Sequence, residues 1–318
     1  MPAPTSGMMA PRRNQFQRTA GDMTDWRWIG LLLAALTGLA DARAEPARST
    51  VGMTLTQADY GGGRIYVPVR FDNMMGAMRL DTGASTTRVA LAPWNRDLPV
   101  VAQSESTGAS GRTVRCDDVE AKNIELKASQ GAGVARAKYE VARCAENDGD
   151  DLLGLDFFKG ARFSLDFAKS EMVFFGDPPA HPAPFRLLGP DRRLVGVDLR
   201  VGNVPAAGLF DTGAEVSAVD QHFVDAHKNL FALAKRKGKA SEAGGAGFSS
   251  KIYKIKAIDL GQGRVLRGVY ALAYDFGPLR QALGSGTPLI LGYNVISRFA
   301  WTLDLTQAAQ PTWDARSR

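Results

Sequence analysis

Two copies of the tetrapeptide Asp-Thr-Gly-Ala, at 81–84 and 211–214, stand at the ends of apolar stretches 130 residues apart. An apolar run buries the backbone, glycine permits a tight turn with close approach, and the aspartate is held at that turn. Brought face to face, Asp81 and Asp211 would share one water and one proton, because like charges that close cannot both ionise. The protonated carboxyl then polarises an amide carbonyl while the ionised one takes a proton from the attacking water. Such a pair titrates as a unit, so neither aspartate owns either role in the free protein. Thr82 and Thr212 are placed to hydrogen-bond across the axis and fix the carboxyl planes, and Gly83, Ala84, Gly213 and Ala214 complete the two turns. This chemistry requires no metal and no cofactor.

A repeat supplies the elements that would set the turns opposite one another. At a shift of 130, Val69-Arg70-Phe71-Asp72-Asn73 falls on Leu199-Arg200-Val201-Gly202-Asn203, and Leu80 with its motif falls on Phe210 with its own. At a shift of 138, Leu152-Leu153-Gly154 falls on Ile290-Leu291-Gly292, and Phe163-Ser164-Leu165-Asp166 on Trp301-Thr302-Leu303-Asp304. Two similar units therefore follow one another, eight residues longer in the second. Residues 51–176 and 190–307 are predicted as the two lobes. A Pro-rich linker at 177–189 joins them, where four prolines between 176 and 184 hold the chain extended. Residues 308–318 are expected as a tail. Apolar, β-branched and aromatic content predicts strands over 64–71, 114–126, 164–175, 194–201, 251–260 and 265–273. Helix is expected only over 221–234 and in the turns after Gly154 and Gly292. The fold class is all-β with two pseudo-symmetric lobes.

The order hydrophobic-hydrophobic-Asp-Thr-Gly-Ala, then a Gly-rich hairpin, then hydrophobic-hydrophobic-Gly resembles the retropepsin-like branch of the aspartic peptidases. In lobe one it comprises Leu80-Asp81-Thr82-Gly83-Ala84-Ser85-Thr86-Thr87 with 152–157, and in lobe two Phe210-Asp211-Thr212-Gly213-Ala214 with 289–294. The chain is similar to bacterial exported members that carry both units. The resemblance implies two β-barrel lobes arranged as in pepsin, an intramolecular dimer that works as a monomer, and an aspartic endopeptidase acting on polypeptide substrate between the lobes. It also implies β-hairpin flaps, for which the candidates are Gly108 with Gly111 and Gly244, Gly245 with Gly247, ordinary flexible loops being the plain alternative. Ala84 and Ala214 resemble the retroviral enzymes, which implies an optimum at mildly acidic pH. Two other readings stay open: a peptide-binding pseudo-peptidase of the same fold that does not cut, and a homodimer pairing like lobes.

The rest of the composition narrows the setting. The chain has 318 residues, 45% of them hydrophobic, enough for a substantial core. Its 39 basic residues are spread against 33 acidic ones, a weak basis for nucleic-acid binding. The dense run Lys235-Arg236-Lys237-Gly238-Lys239 reads as the solvated end of the helix predicted over 221–234. The apolar stretch 29–40 followed by Ala42-Arg43-Ala44 reads as a signal peptide, so residues 1–44 are assigned to export, to the periplasm or the medium. An uncleaved anchor is the alternative, although about 20 apolar residues are needed to span a bilayer; no other segment is apolar enough to insert. In an oxidising compartment Cys116 and Cys144 are expected to pair, with two free thiols as the alternative. His181, His222 and His227 form no metal-binding or triad pattern, and Gly261-Gln262-Gly263 reads as a hairpin turn.

Overall fold

The computed structural model describes residues 47–108, 111–145, 149–241, 247–284 and 286–317. The export segment predicted over 1–44 and the flap candidates Gly244 and Gly245 lie outside these residues. Strands dominate, at 54% against 10% helix.

Lobe one contains β1 (Ser49–Gly52), β2 (Thr54–Leu55), β3 (Ile65–Phe71), β4 (Met74–Asp81), β5 (Arg88–Ala90), β6 (Val100–Thr107), β7 (Thr113–Leu126), β8 (Val134–Cys144), β9 (Leu152–Gly154), β10 (Arg162–Asp166) and β11 (Glu171–Phe174). Then come β12 (Ala183–Pro184), β13 (Arg186–Leu188), β14 (Leu194–Val201), β15 (Val204–Phe210), β16 (Ser217–Asp220), α1 (Gln221–Ala226), β17 (Phe231–Ser241), β18 (Gly247–Asp259) and β19 (Val265–Tyr274). The chain ends with α2 (Gly277–Leu283), β20 (Leu289–Leu291), α3 (Tyr293–Ile296), β21 (Phe299–Asp304) and β22 (Thr312–Ser317).

Each lobe is a six-stranded barrel. In the first, β3-β4-β9-β5-β8-β7 closes where β7 returns to β3, and in the second β14-β15-β20-β16-β19-β18 closes where β18 returns to β14. Alternation drives the closure: along β3 the side chains of Ile65, Val67, Val69 and Phe71 point inward while their neighbours stay part-exposed. Both barrels open with a hairpin that turns through a left-handed residue, Asp72 in one and Gly202 in the other. The repeat thus preserves the turn geometry as well as the strands.

A third sheet, β1-β11-β10-β21-β22-β12, joins the lobes. Its centre is the antiparallel pair β10–β21, where Ser164 faces Thr302 and Leu165 faces Trp301. Ser164 and Thr302 are equivalent residues of the repeat, and equivalent residues meet each other only on a twofold axis. Trp301 is fully buried there, its indole N–H donating to the Ile296 carbonyl at 2.7 Å. The linker and the tail do more than expected. Within 177–189, β12 pairs with β22 and β13 with β14; within 308–318, β22 pairs along the whole of β21, burying Trp313. Short extended segments beside an open sheet edge satisfy their backbone by pairing with it.

The helix expected over 221–234 is cut short. Asp220 caps α1 by accepting from the His222 N–H at 3.2 Å, but the helix ends at Ala226, a 3₁₀ turn covers Lys228–Leu230, and from Phe231 the chain is the strand β17. Pairing of Phe231 with Ile255 and burial of both side chains overrides a helical pattern of modest propensity. The basic run at 235–239 therefore belongs to an edge strand and not to a helix end. The region 164–175 is a hairpin of β10 and β11 and not one strand. The turns after Gly154 and Gly292 are helical as expected, and Gly261-Gln262-Gly263, all with positive φ, turn the β18–β19 hairpin.

Candidate active site

β4 and β15 deliver the two aspartates. Each strand runs parallel to a short buried partner, Leu80 beside Leu153 and Phe210 beside Leu291, so each motif emerges from the buried interior of its barrel. The partners end in Gly154 and Gly292, where a Cβ would lie 2.5 Å from the Thr86 carbonyl carbon and 2.7 Å from the Ala214 carbonyl oxygen. This contact accounts for the hydrophobic-hydrophobic-Gly signature: the second strand must slide past the Asp-Thr-Gly turn without a side chain.

At the turns, Asp81 Oδ1 accepts from the amides of Gly83 and Ala84, both at 3.0 Å. Asp211 Oδ1 accepts from those of Gly213 and Ala214 at 2.8 and 3.1 Å. The threonines between them cross over. Thr82 Oγ1 donates to the Phe210 carbonyl at 2.8 Å and accepts from the Thr212 amide at 3.1 Å. Thr212 Oγ1 donates to the Leu80 carbonyl at 3.0 Å and accepts from the Thr82 amide at 3.0 Å. Both are fully buried, so four charge-free hydrogen bonds lock one turn to the other.

The lock brings the carboxyls together. Each carboxyl reaches the opposite turn, and the charge of one bears on the other. A Cβ on Gly83 would lie 2.4 Å from Asp211 Cγ, and one on Gly213 would lie 2.3 Å from Asp81 Cγ. Each carboxyl is therefore packed on the glycine of the opposite turn, and close approach, not an unusual φ, is what requires glycine there. Burial, then the charge and hydrogen bond of Asp81, push the Asp211 carboxyl well above the usual carboxylate range; the Gly213 amide and the Arg79 guanidinium pull it partly back. Asp211 therefore keeps its proton at pH values where an isolated aspartate has lost its own.

Several residues around the site were given no role by the sequence reading. Thr87 Oγ1 receives the Gly154 amide at 3.0 Å and bonds Asp156 at 2.9 Å, and in lobe two Ser217 Oγ receives the Gly292 amide at 3.0 Å and bonds Asn294 at 2.7 Å. These hydroxyls pin each motif to the glycine of its partner strand. Their signal was present in the repeat, since Thr87 matches Ser217 at a shift of 130 and Asp156 matches Asn294 at 138. Among the described residues, Arg64, Arg79, Asp150 and Glu215 form a charged cluster on one side of the two aspartates. Arg64 pairs with Glu215 at 2.5 Å and with Asp150 at 3.2 Å, and the Tyr66 hydroxyl donates to Asp150 at 2.9 Å.

The described flap candidates, Gly108, Gly111 and Gly247, lie at the ends of hairpin strands. Gly108 and Gly111 close the β6–β7 hairpin, with the Gly111 amide donating to the Gly108 carbonyl at 3.0 Å and Gly111 at φ 82°. Gly247 opens β18, in the matching β17–β18 hairpin. Cys116 and Cys144 face each other across β7 and β8 and are joined by a disulfide. Asp220, His222 and Asp275 lie close together, but Arg280 already bridges both aspartates at 2.9 and 2.7 Å. Among the described residues no helix is long and apolar enough to cross a membrane.

No protein-family model matches the chain, and no curated sequence matches it significantly. Solved structures do. The chain is similar to conglutin gamma, a basic 7S globulin from lupine seeds, at 10% identity and TM-score 0.50 over 86% of this chain and 96% of that one. It is also similar to the basic 7S globulin of soybean, at 12% identity and TM-score 0.49 over 85% and 95%, and to an aspartic proteinase of Irpex lacteus, at 14% and 0.48 over 85% and 98%. At such identity the lupine likeness bears on fold alone: this chain has the all-β, two-barrel, bilobal architecture.

Proposed function

We propose that the chain is an aspartic endopeptidase that hydrolyses peptide bonds with a water held between Asp81 and Asp211. The observation that carries this reading is two carboxyls, each seated on the glycine of the opposite turn and each held by two amide donors, with Asp211 pushed well above its ordinary range. Sharing one proton, the pair can polarise the scissile carbonyl with its protonated oxygen and deprotonate the water with its ionised one. The proton taken from water then passes to the leaving amine. Thr82 and Thr212 hold the carboxyls so that little reorganisation accompanies attack. The hairpins β6–β7 and β17–β18 act as flaps over an extended polypeptide, and the single chain works as a monomer because it supplies both halves of the pair. Export fits the disulfide between Cys116 and Cys144, with residues 1–44 as the removed segment.

Turnover of a fluorogenic peptide library, with and without a statine inhibitor whose hydroxyl replaces the attacked water, tests the assignment. Inhibitable cleavage that disappears in Asp81→Asn supports it, and no cleavage between pH 3 and 7 refutes it. The competing reading is a binding protein of the same fold, favoured by the likeness to a seed globulin; peptide binding without turnover would select it.

A further inference from the structure

We propose that Arg79 is a positioning residue that sets the proton balance of the dyad from one side, through the Gly213–Ala214 peptide. This rests on the reading of Asp81 and Asp211 as a working pair. Arg79 lies two residues before Asp81 on β4 and so shares its face, while Met78 and Leu80 point into the core. Its guanidinium reaches across to the other lobe, where Nη2 donates to the Gly213 carbonyl. The amide on the far side of that same peptide, Ala214 N–H, donates to Asp211 Oδ1 at 3.1 Å. A cation on the carbonyl polarises the peptide and strengthens its N–H as a donor to a carboxylate. Arg79 therefore favours the ionised form of Asp211 twice, by its charge and through the relay.

The groups facing Arg79 leave that charge partly uncompensated. Glu215 and Asp150 lie 3.9 and 3.6 Å from it but sit closer to Arg64, at 2.5 and 3.2 Å, and Asp150 also takes the Tyr66 hydroxyl. Asp151, next in the chain, accepts instead from the Ala90 amide. Arg79 is buried, with no partner for its Nε among the described residues. A buried cation with an unmade hydrogen bond is a cost to the fold. The fold does not require it either: at the equivalent place lobe two has Leu209, Leu194 replaces Arg64, Gly196 replaces Tyr66, and among the described residues no basic side chain donates to the Gly83 carbonyl. The dyad is thus symmetric in its turns and asymmetric in its field. Of the two effects opposing the burial of Asp211, one is the Gly213 amide and the other is Arg79 itself.

The test compares pH profiles of kcat/KM for the wild-type chain, Arg79→Leu, Arg79→Gln and Arg79→Lys, alongside titration of the ¹³C-labelled aspartate carboxyls by NMR. Removing a nearby cation raises both apparent pKa values of a carboxyl pair. Arg79→Leu should therefore move both limbs to higher pH by about one unit, an approximately tenfold loss on the acid limb. Arg79→Lys should keep the limbs near their original positions. If Arg79→Leu does not fold, Arg79→Gln, which can still donate to the Gly213 carbonyl, carries the same direction of shift. Limbs and carboxyl titrations that stay in place while only kcat or thermal stability falls would overturn the proposal and leave Arg79 a packing residue. A wild-type chain that cleaves nothing would overturn the peptidase reading alone, because the carboxyl titration still decides the effect of Arg79.

Discussion

The two lobes agree wherever the aspartates must be held and differ almost everywhere else near them. Both have the same crossed threonine, the same pair of amide donors and the same hydroxyl tying the motif to a following glycine. Beside the turn they part. Lobe one sets Arg79, Arg64 and Asp150 against Glu215 of lobe two, whereas lobe two packs Leu209 with Leu188, Ala218, Phe276 and Leu283 into a separate apolar cluster. Lobe one staples β7 to β8 with a disulfide; lobe two has no cysteine and instead carries most of the chain's excess of lysine and arginine along β17, β18 and β19. Duplication preserved what two carboxyls need in order to meet, and divergence was free to act on charge, on packing and on how each barrel is stabilised.

The sharpest break in the comparison is removal of one carboxyl. Asp81→Asn and Asp211→Asn should each lower kcat by about four orders of magnitude or more, and the double variant by little beyond that, because the pair acts as a unit. Activity surviving in Asp211→Asn and absent from Asp81→Asn would mean that two copies of lobe one pair instead. Next in size is the staple that only lobe one has. Replacing Cys116 and Cys144 by serine should lower unfolding free energy by about 3 kcal/mol for a loop of 27 intervening residues, read from denaturant midpoints, with lobe one exchanging its amide hydrogens faster and lobe two unchanged. Thr212→Ala leaves the buried Thr82 amide without an acceptor and should cost about 2 kcal/mol, and Thr82→Ala should match it if the lobes contribute equally to the lock.

The smallest expected effect concerns pH. Asp211 has its folded pKa raised above the unfolded value, so the native state binds the extra proton. Its contribution to stability is fully present below the unfolded pKa and is lost as pH rises through the raised one. Thermal unfolding of the wild type should show that decline above pH 4, and Asp211→Asn should flatten it.

Much of the architecture was legible because a duplicated sequence prints its symmetry. The paired motifs and the two hydrophobic-hydrophobic-Gly strands each have a chemical reason that acts locally: a tight turn and a close approach need glycine. Where local preference and long-range pairing competed, the sequence misled. Phe231 continues a plausible helical face, but Ile255 offers it a strand partner, and the sheet prevails. Lengths and motifs along the chain thus determined that two like units exist and that each ends a buried strand in an aspartate. Only the tertiary structure decided that Ser164 meets Thr302 on the axis, that a proline-held segment and the last residues complete the joining sheet, and that Arg79 crosses to Gly213. Those are contacts between residues more than a hundred positions apart, set by how two barrels pack, and no local pattern in the chain encodes which buried side chain will face which carbonyl.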